Sequence, residues 1–353
     1  MEKTCIVTGG AGFIGCAISK GLAQQFDRVI AIDMLHPQIH LEKKRPAALY
    51  DSVKLEIADV CDPGTWDRIL PQVDQMDTII HLAAETGTGQ SLEEATRHAM
   101  TNVVGMTQML DALVRHKKIP SQIILTSSRA VYGEGLWKRD DGTLYYPGQR
   151  SNAQLKAMQW DFPESEYVPA CSSATQPHPT SIYGCTKLAQ ENLLASWALS
   201  FGVQKKILRL QNVYGAGQSL INPYTGIVSL FVRMAKSGQS IPLYEDGEII
   251  RDFVYIDDVA DAILLTIENE QAKETIFDIG TGKMTTIQRM AQIISERYHA
   301  PAPKVCSKYR NGDVRHACCD MTQTMNGLHF TPRISIEDGL GLLCKWIDAQ
   351  MHE

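Results

Sequence analysis

The chain has 353 residues, 44% of them apolar and 21% charged, and a formal net charge of −6. That length holds a large core, more naturally two subdomains than one. The acidic balance gives no global attraction to nucleic acid or to an anionic membrane surface. No apolar run approaches the ~20 residues that a bilayer span needs. The N-terminus enters a strand pattern directly, and nine cysteines lack metal-ligand spacing. A cytoplasmic protein with reduced thiols and no metal is expected.

The first strand is expected over 3–8 ("KTCIVT"), followed at once by Gly9, Gly12 and Gly15 and a helix over 13–25. Glycine at this spacing allows a tight turn, lets backbone N–H groups approach a pyrophosphate, and packs the helix onto the strand. The helix N-terminus adds unpaired donors and a favourable dipole. The second strand, 28–33, ends on Asp33, 18 residues past Gly15. A carboxylate there accepts from an adenosine ribose and repels a 2′-phosphate, so NAD is expected over NADP. A third strand, 53–58, leads to Asp59, within reach of an adenine amine or a plain turn residue.

A helix over 64–70 and a strand over 77–82 follow, then the stretch "ETGTGQS" (85–91) at the sheet's carboxyl edge, where such folds bind ligands. Thr86, Thr88 and Ser91 are its candidates for contact. One long helix is expected over 91–116, with Ala95, Ala99, Met106, Met109, Leu110 and Leu113 at helical spacing. That is more apolar surface than one sheet covers, which together with the 183–201 helix predicts a homodimer. The fifth strand, 122–127, ends in Thr126, Ser127 and Ser128, and the next residues, Arg129 and Ala130, are not carboxylates.

Residues 134–172 interrupt the alternation with Trp137, Tyr145, Tyr146, Trp160 and Phe162, and read as an ordered insertion. Then "SIYGCTKLAQENLL" sets Tyr183 and Lys187 four apart at the head of a helix over about 183–201, on one face. Tyrosine titrates near 10. A cation ~4 Å away is worth about 4 kcal/mol at an effective dielectric of ~20, enough to bring a phenol toward neutrality. Taken alone, the pair is a common helix start. A sixth strand, 205–210, completes a doubly wound parallel α/β (Rossmann) sheet with right-handed crossovers. The domain reading is 1–213 for the NAD-binding domain with its insertion, and 214–353 for a smaller mixed α+β substrate domain, with 254–280 returning to the sheet.

The glycine pattern, Ser128, Tyr183 and Lys187 together resemble the extended short-chain dehydrogenase/reductase family, in its nucleotide-sugar epimerase and dehydratase branch. The likeness runs through "HLAA" (81–84), "NVVG" (102–105), "SSRAVYG" (127–133), "RLQNVYG" (209–215), "RDFVYIDDVA" (251–260) and "RNGDVRH" (310–316). "AETGTGQSLEEA", "LHPQIH" and the insertion look most like the members that epimerise dTDP-L-rhamnose at C4.

The resemblance implies catalysis by Ser128, Tyr183 and Lys187. It implies NAD contacts from Gly9, Gly12, Phe13, Ile14, Gly15, Asp33, Asp59, Val60, Leu82, Ala83, Ala84, Asn102, Tyr183 and Lys187. A nucleotide-diphosphate sugar would meet Thr86, Ser128, Arg129, Asn212, Arg251, Arg310 and Asp313; guanidinium forks suit its phosphates. Dehydratases of this branch carry Asp-Glu after the hydroxyl, and its decarboxylases a glutamate where Ala130 stands. With neither, hydride and hydroxyl-proton transfer remain. The expectation is an NAD-dependent nucleotide-sugar 4-epimerase. A 4-ketohexose reductase using dissociable NAD(P)H and a non-catalytic NAD sensor are the alternatives.

Overall fold

The computed structural model describes residues 2–222, 226–269 and 275–350. The chain forms two compact units. The first comprises Met1–Ser128, Ile182–Arg209 and Ala260–Phe277, and the second Arg129–Ser181, Leu210–Val259 and Asp278–Glu353.

The first unit is built on a seven-stranded sheet. Across it the strands run Ile276–Ile279, Gln204–Leu210, Gln122–Ser128, Thr78–His81, Thr4–Thr8, Arg28–Asp33 and Lys54–Ile57. Thr4–Thr8 pairs in parallel with both its neighbours, and the pairs flanking those are parallel too. Its central runs, Thr4–Thr8 and Thr78–His81, are buried throughout, which is why they read as continuous rather than alternating. Ile6, Ile30, Ile79 and Ile123 meet Trp66, Met106, Met109, Leu113 and Leu194 in one core. From Thr4–Thr8 the chain steps outward twice, then returns to the opposite side with Thr78–His81. That reversal leaves a crevice beyond the carboxyl ends of the two strands, where such sheets take ligands.

The single helix expected over 91–116 is broken. Thr88–Glu93 stops at Glu94 (φ −120°, ψ 46°), Ala95–Ala99 follows, then a π turn at Met100–Val104, and Gly105–Arg115 completes the run. The π turn coincides with Asn102, which is fully buried and bonded on both amide ends. A side chain that must be satisfied inward competes here with regular helix. Met106, Met109, Leu110 and Leu113 are buried within the protomer itself, whereas Met100 and Val114 of the same run are exposed.

The second unit contains the aromatic stretch 134–172. Leu136–Arg139 pairs antiparallel with Leu144–Tyr145 and Ser165–Val168, and Trp137 is buried against Phe162 and His316. Two buried arginines tie the stretch down. Arg150 holds Glu245 through two bonds of 2.9 Å and Glu134 at 3.2 Å. Arg315 holds both oxygens of Asp161 and both of Asp246. Interior charges persist only when paired and hydrogen-bonded in this way. These ion pairs give the insertion its place in the second unit.

Candidate active site

The glycine loop is shaped by close approaches. Gly9 has φ +66°, and a Cβ there would lie 2.8 Å from the Ala83 nitrogen. On Gly15 it would lie 2.5 Å from the Gly10 carbonyl. Gly12 is the N-cap of helix Phe13–Gln25 and supplies no side-chain cap. The half-buried Phe13 and Ile14 head that helix, so its first N–H groups have no capping side chain in front of them. Asp33 accepts from the Ala11 nitrogen at 3.1 Å on one oxygen and from Leu35 at 2.9 Å on the other. Each carboxylate oxygen keeps a second lone pair for a ribose hydroxyl. His40 Nε2 stands 4.0 Å from it.

An uncapped helix start over a glycine turn, beside a strand-end carboxylate, fits a dinucleotide. Around it, Leu82, Ala83 and Ala84 are half-buried where the fourth strand leaves the sheet. Val60 lies in the core, and Asp59 accepts from the Cys61 nitrogen in its own turn.

The three hydroxyls ending the fifth strand separate by direction. Thr126 donates to the His81 carbonyl, and Ser127 donates to Glu191 at 2.5 Å. Ser128, half-buried, ends the strand. Tyr183, Lys187 and Glu191 follow one another at four-residue steps on helix Ile182–Phe201, hence on one face. Glu191 is buried and grips Arg209 through both oxygens, at 3.0 and 2.7 Å. Lys187 is 2% exposed. Burial pushes its ammonium down to about 7, with Glu191 opposing. His81, held by Thr8 at 2.9 Å, is pushed down to about 3 by its burial and then by Lys187.

Sequence reasoning missed Glu191, Arg209 and His81. The four-residue spacing from Lys187 would have found the first. Nothing periodic marks the others.

The loop residues divide. Ser91 was a candidate for sugar contact, but it is fully buried. Its hydroxyl donates to the Thr88 carbonyl and accepts from the Tyr183 nitrogen at 3.1 Å. It holds the start of the Tyr183 helix. Asn102 works alongside it, accepting from the Glu85 nitrogen and donating to the Glu85 carbonyl and Thr186 Oγ1. Thr86 is half-buried, its carbonyl 3.4 Å from His98 Nε2.

In the second unit, Arg129 Nε donates to Asn212 Oδ1 at 2.9 Å. Arg251 is 5% exposed; it donates to the carbonyls of Ile250, Val314 and Arg315 and to Asp313 Oδ1 at 2.9 Å. Arg251 thereby fixes the 310–315 turn. Arg310 on that turn is exposed, its guanidinium carbon 5.2 Å from the centre of the Tyr244 ring. Among the described residues, no group of three or more His, Cys, Asp or Glu is arranged to hold a metal ion, and no helix is long and apolar enough to cross a membrane.

Comparison with known proteins agrees with this geometry. The model of the NAD dependent epimerase/dehydratase family matches residues 5–280. The dTDP-L-rhamnose 4-epimerase of Burkholderia thailandensis is 55% identical over 349 residues, covering 99% of this chain and 96% of that protein. Among solved structures, the UDP-glucose 4-epimerase of Thermotoga maritima with UDP-glucose superposes at a TM-score of 0.80 and 27% identity, covering 99% of both chains. The UDP-N-acetylglucosamine 4-epimerase of Methanobrevibacter ruminantium, in complex with UDP-N-acetylmuramic acid, gives 0.78 and 27% over the same shares. The match to the family model spans most of the chain, includes the glycine loop, Ser128, Tyr183 and Lys187, and carries NAD as the cofactor. The chain belongs to the NAD dependent epimerase/dehydratase family.

Proposed function

We propose that the protein is an NAD-dependent nucleotide-sugar 4-epimerase that interconverts dTDP-L-rhamnose and dTDP-6-deoxy-L-talose. The observation that carries the chemistry is a Ser128, Tyr183 and Lys187 set followed by Arg129 and Ala130 instead of carboxylates. The full-length likeness to a dTDP-L-rhamnose 4-epimerase supports the sugar.

Tyr183, as phenolate, takes the proton of the sugar's 4-hydroxyl, and Ser128 hydrogen-bonds the same oxygen. Lys187 stabilises the phenolate, and buried Glu191 sustains the lysine's charge. NAD, when bound, supplies the hydride acceptor at C4 and later the donor. The 4-ketone has no neighbouring acid and base at 129 and 130 to eliminate water. It turns, and the regenerated alkoxide is protonated by Tyr183 on the inverted carbon.

For the cofactor we assign Gly9, Gly12, Phe13, Ile14 and Gly15 to the pyrophosphate, and Asp33 to the ribose. Asp59, Val60, Leu82, Ala83 and Ala84 line its remaining length, with Asn102 positioning the loop. Asn212, Arg251, Arg310 and Asp313 are assigned to the diphosphate of the sugar nucleotide, and Thr86 and Arg129 to the sugar. The domain proposal is 1–213 for NAD, with the insertion, and 214–353 for the nucleotide sugar, with 254–280 returning to the sheet.

Asp33→Asn removes both a ribose acceptor and the charge that repels a 2′-phosphate. Affinity for NAD should fall and the preference over NADP narrow by roughly 10-fold or more in titrations of the two cofactors. Tighter binding of NADP than NAD by the wild type would contradict this role. We also propose a homodimer, for which Met100, Val114, Leu199 and Phe201, exposed on the Met100–Arg115 and Ile182–Phe201 segments, supply apolar surface. Light scattering at micromolar concentration should give twice the 39.2 kDa chain mass.

The test of the whole reading is incubation with a panel of dTDP- and UDP-sugars, with C4 epimers resolved by NMR. The expected result is inversion of dTDP-L-rhamnose at C4 without net NADH. Conversion of UDP-hexoses alone would overturn the proposed sugar.

A further inference from the structure

Two connections leave the sheet on opposite sides of the glycine loop. The loop after Asp33 and the helix after His81 spring from strands that flank Thr4–Thr8. Neighbouring strands stand ~4.8 Å apart, so these connections start roughly 10 Å apart, with the glycine turn between them. They nevertheless meet. Gln38 Nε2 donates to Gln90 Oε1 at 3.1 Å, and Gln90 Nε2 donates back to Gln38 Oε1 at 3.2 Å.

Gln90 is 1% exposed. The turn presenting Gln38 is fixed by buried Leu35, which accepts φ +52°, and by His36 Nδ1, which accepts from the Gln38 nitrogen. Arg97 anchors the pair. It donates to Gln38 Oε1 at 3.1 Å, to Glu85 at 2.8 Å and to Glu94 at 2.7 Å. Glu94 in turn accepts from Gln90 at 3.2 Å. Two amides satisfying each other reciprocally, with a charged anchor, make a join that closes as a unit.

We propose that Gln38 and Gln90 form a clasp across the mouth of the glycine loop that retains NAD for the whole catalytic cycle. The inference rests on the epimerase reading. A cofactor that must give back what it took cannot leave while the sugar is a ketone, whereas a reductase must release it every turnover. Gln38 and Gln90 are positioning residues, acting on the cofactor's escape rather than on the reacting atoms. Arg97 carries the closure to Glu85, whose backbone is held by Asn102.

The experiment measures exchange of NAD bound to the purified holoenzyme against excess isotope-labelled NAD, for wild type, Gln38→Ala, Gln90→Leu and the double variant. Each single variant loses the two reciprocal amide bonds and its own bond to Arg97 or Glu94, which should speed exchange roughly 10- to 30-fold, and the double variant should fall far short of the product of the two single effects. Added NAD should restore kcat in all three, while the melting temperature of the NAD-stripped proteins moves by only a few degrees.

Exchange as slow as wild type in both single variants overturns the clasp. So does acceleration that adds in the double variant, or that simply follows the loss of apo stability. Wild type that epimerises but exchanges NAD as fast as the variants overturns the clasp alone. Clasp-dependent retention with no C4 epimer formed overturns the epimerase reading and leaves the clasp.

Discussion

Tyr183→Phe is expected to lower kcat roughly 100- to 10,000-fold, the range for losing a positioned acid-base group. KM for the sugar nucleotide and the dissociation constant for NAD should change by no more than about twofold. The phenyl ring keeps nearly the same volume and the helix, and the phenolic hydroxyl that carries the exchangeable proton is lost. The Tyr183 backbone nitrogen still meets Ser91, and the helix start is unaltered. Equal losses in kcat and kcat/KM are the signature of an interaction made in the transition state. A Tyr183→Phe protein retaining a tenth of wild-type turnover would remove Tyr183 from the mechanism.

Lys187→Met is expected to abolish turnover to a similar degree and yet make the protein harder to unfold below neutral pH. Lys187 is buried, and its pKa is pushed down to about 7 from lysine's ordinary 10.5, chiefly by desolvation. Between those values the unfolded chain binds more protons than the folded one, so wild-type stability rises with pH across that window. Below pH 7 the folded protein carries the full penalty of a buried ammonium. Methionine fills similar volume without the charge. The melting temperature of the variant should therefore exceed wild type by a few degrees at pH 6, and the gap should close as pH rises toward 10. A variant less stable than wild type at pH 6 would mean that the Glu191 field outweighs desolvation.

Much of this was legible in the sequence. The central parallel strands announced themselves because burial on both faces demands continuous apolar runs, whereas the edge strand Lys54–Ile57 is only partly buried; the six read from residues 3–210 match the observed strands to within a residue or two. Gly9 and Gly15 were legible because close backbone approach leaves no room for a Cβ, while at Gly12 the approach is only tight, 3.2 Å from the Gly9 carbonyl. Tyr183 and Lys187 share one helix face by their four-residue spacing, but only the company of the glycine pattern and Ser128 singled them out. What escaped has a common cause: polar side chains satisfied across long sequence separations leave no periodic trace.

Arg150 meets Glu245, and Arg315 meets Asp161, through partners far along the chain. Asn102 forces a π turn into what reads as a uniform helix. Ser91 looked like a sugar ligand because its hydroxyl sits in a ligand-edge loop, but only the fold reveals that it faces the Tyr183 backbone. Likewise, three hydroxyls in a row are equivalent on paper. The strand's alternation turns Ser127 to Glu191, while Thr126 takes the His81 carbonyl.

The central claim is that hydride leaves C4 and returns to C4, with no carbon acid ionised along the way, because residues 129 and 130 offer neither acid nor base. Turnover of dTDP-L-rhamnose by the wild-type enzyme in deuterium oxide tests it directly, with the product examined by NMR and mass spectrometry. The account predicts the C4 epimer with its original hydrogen at C4 and no deuterium on any carbon. Deuterium at C3 or C5 would mean that the ketone enolises, and would contradict it.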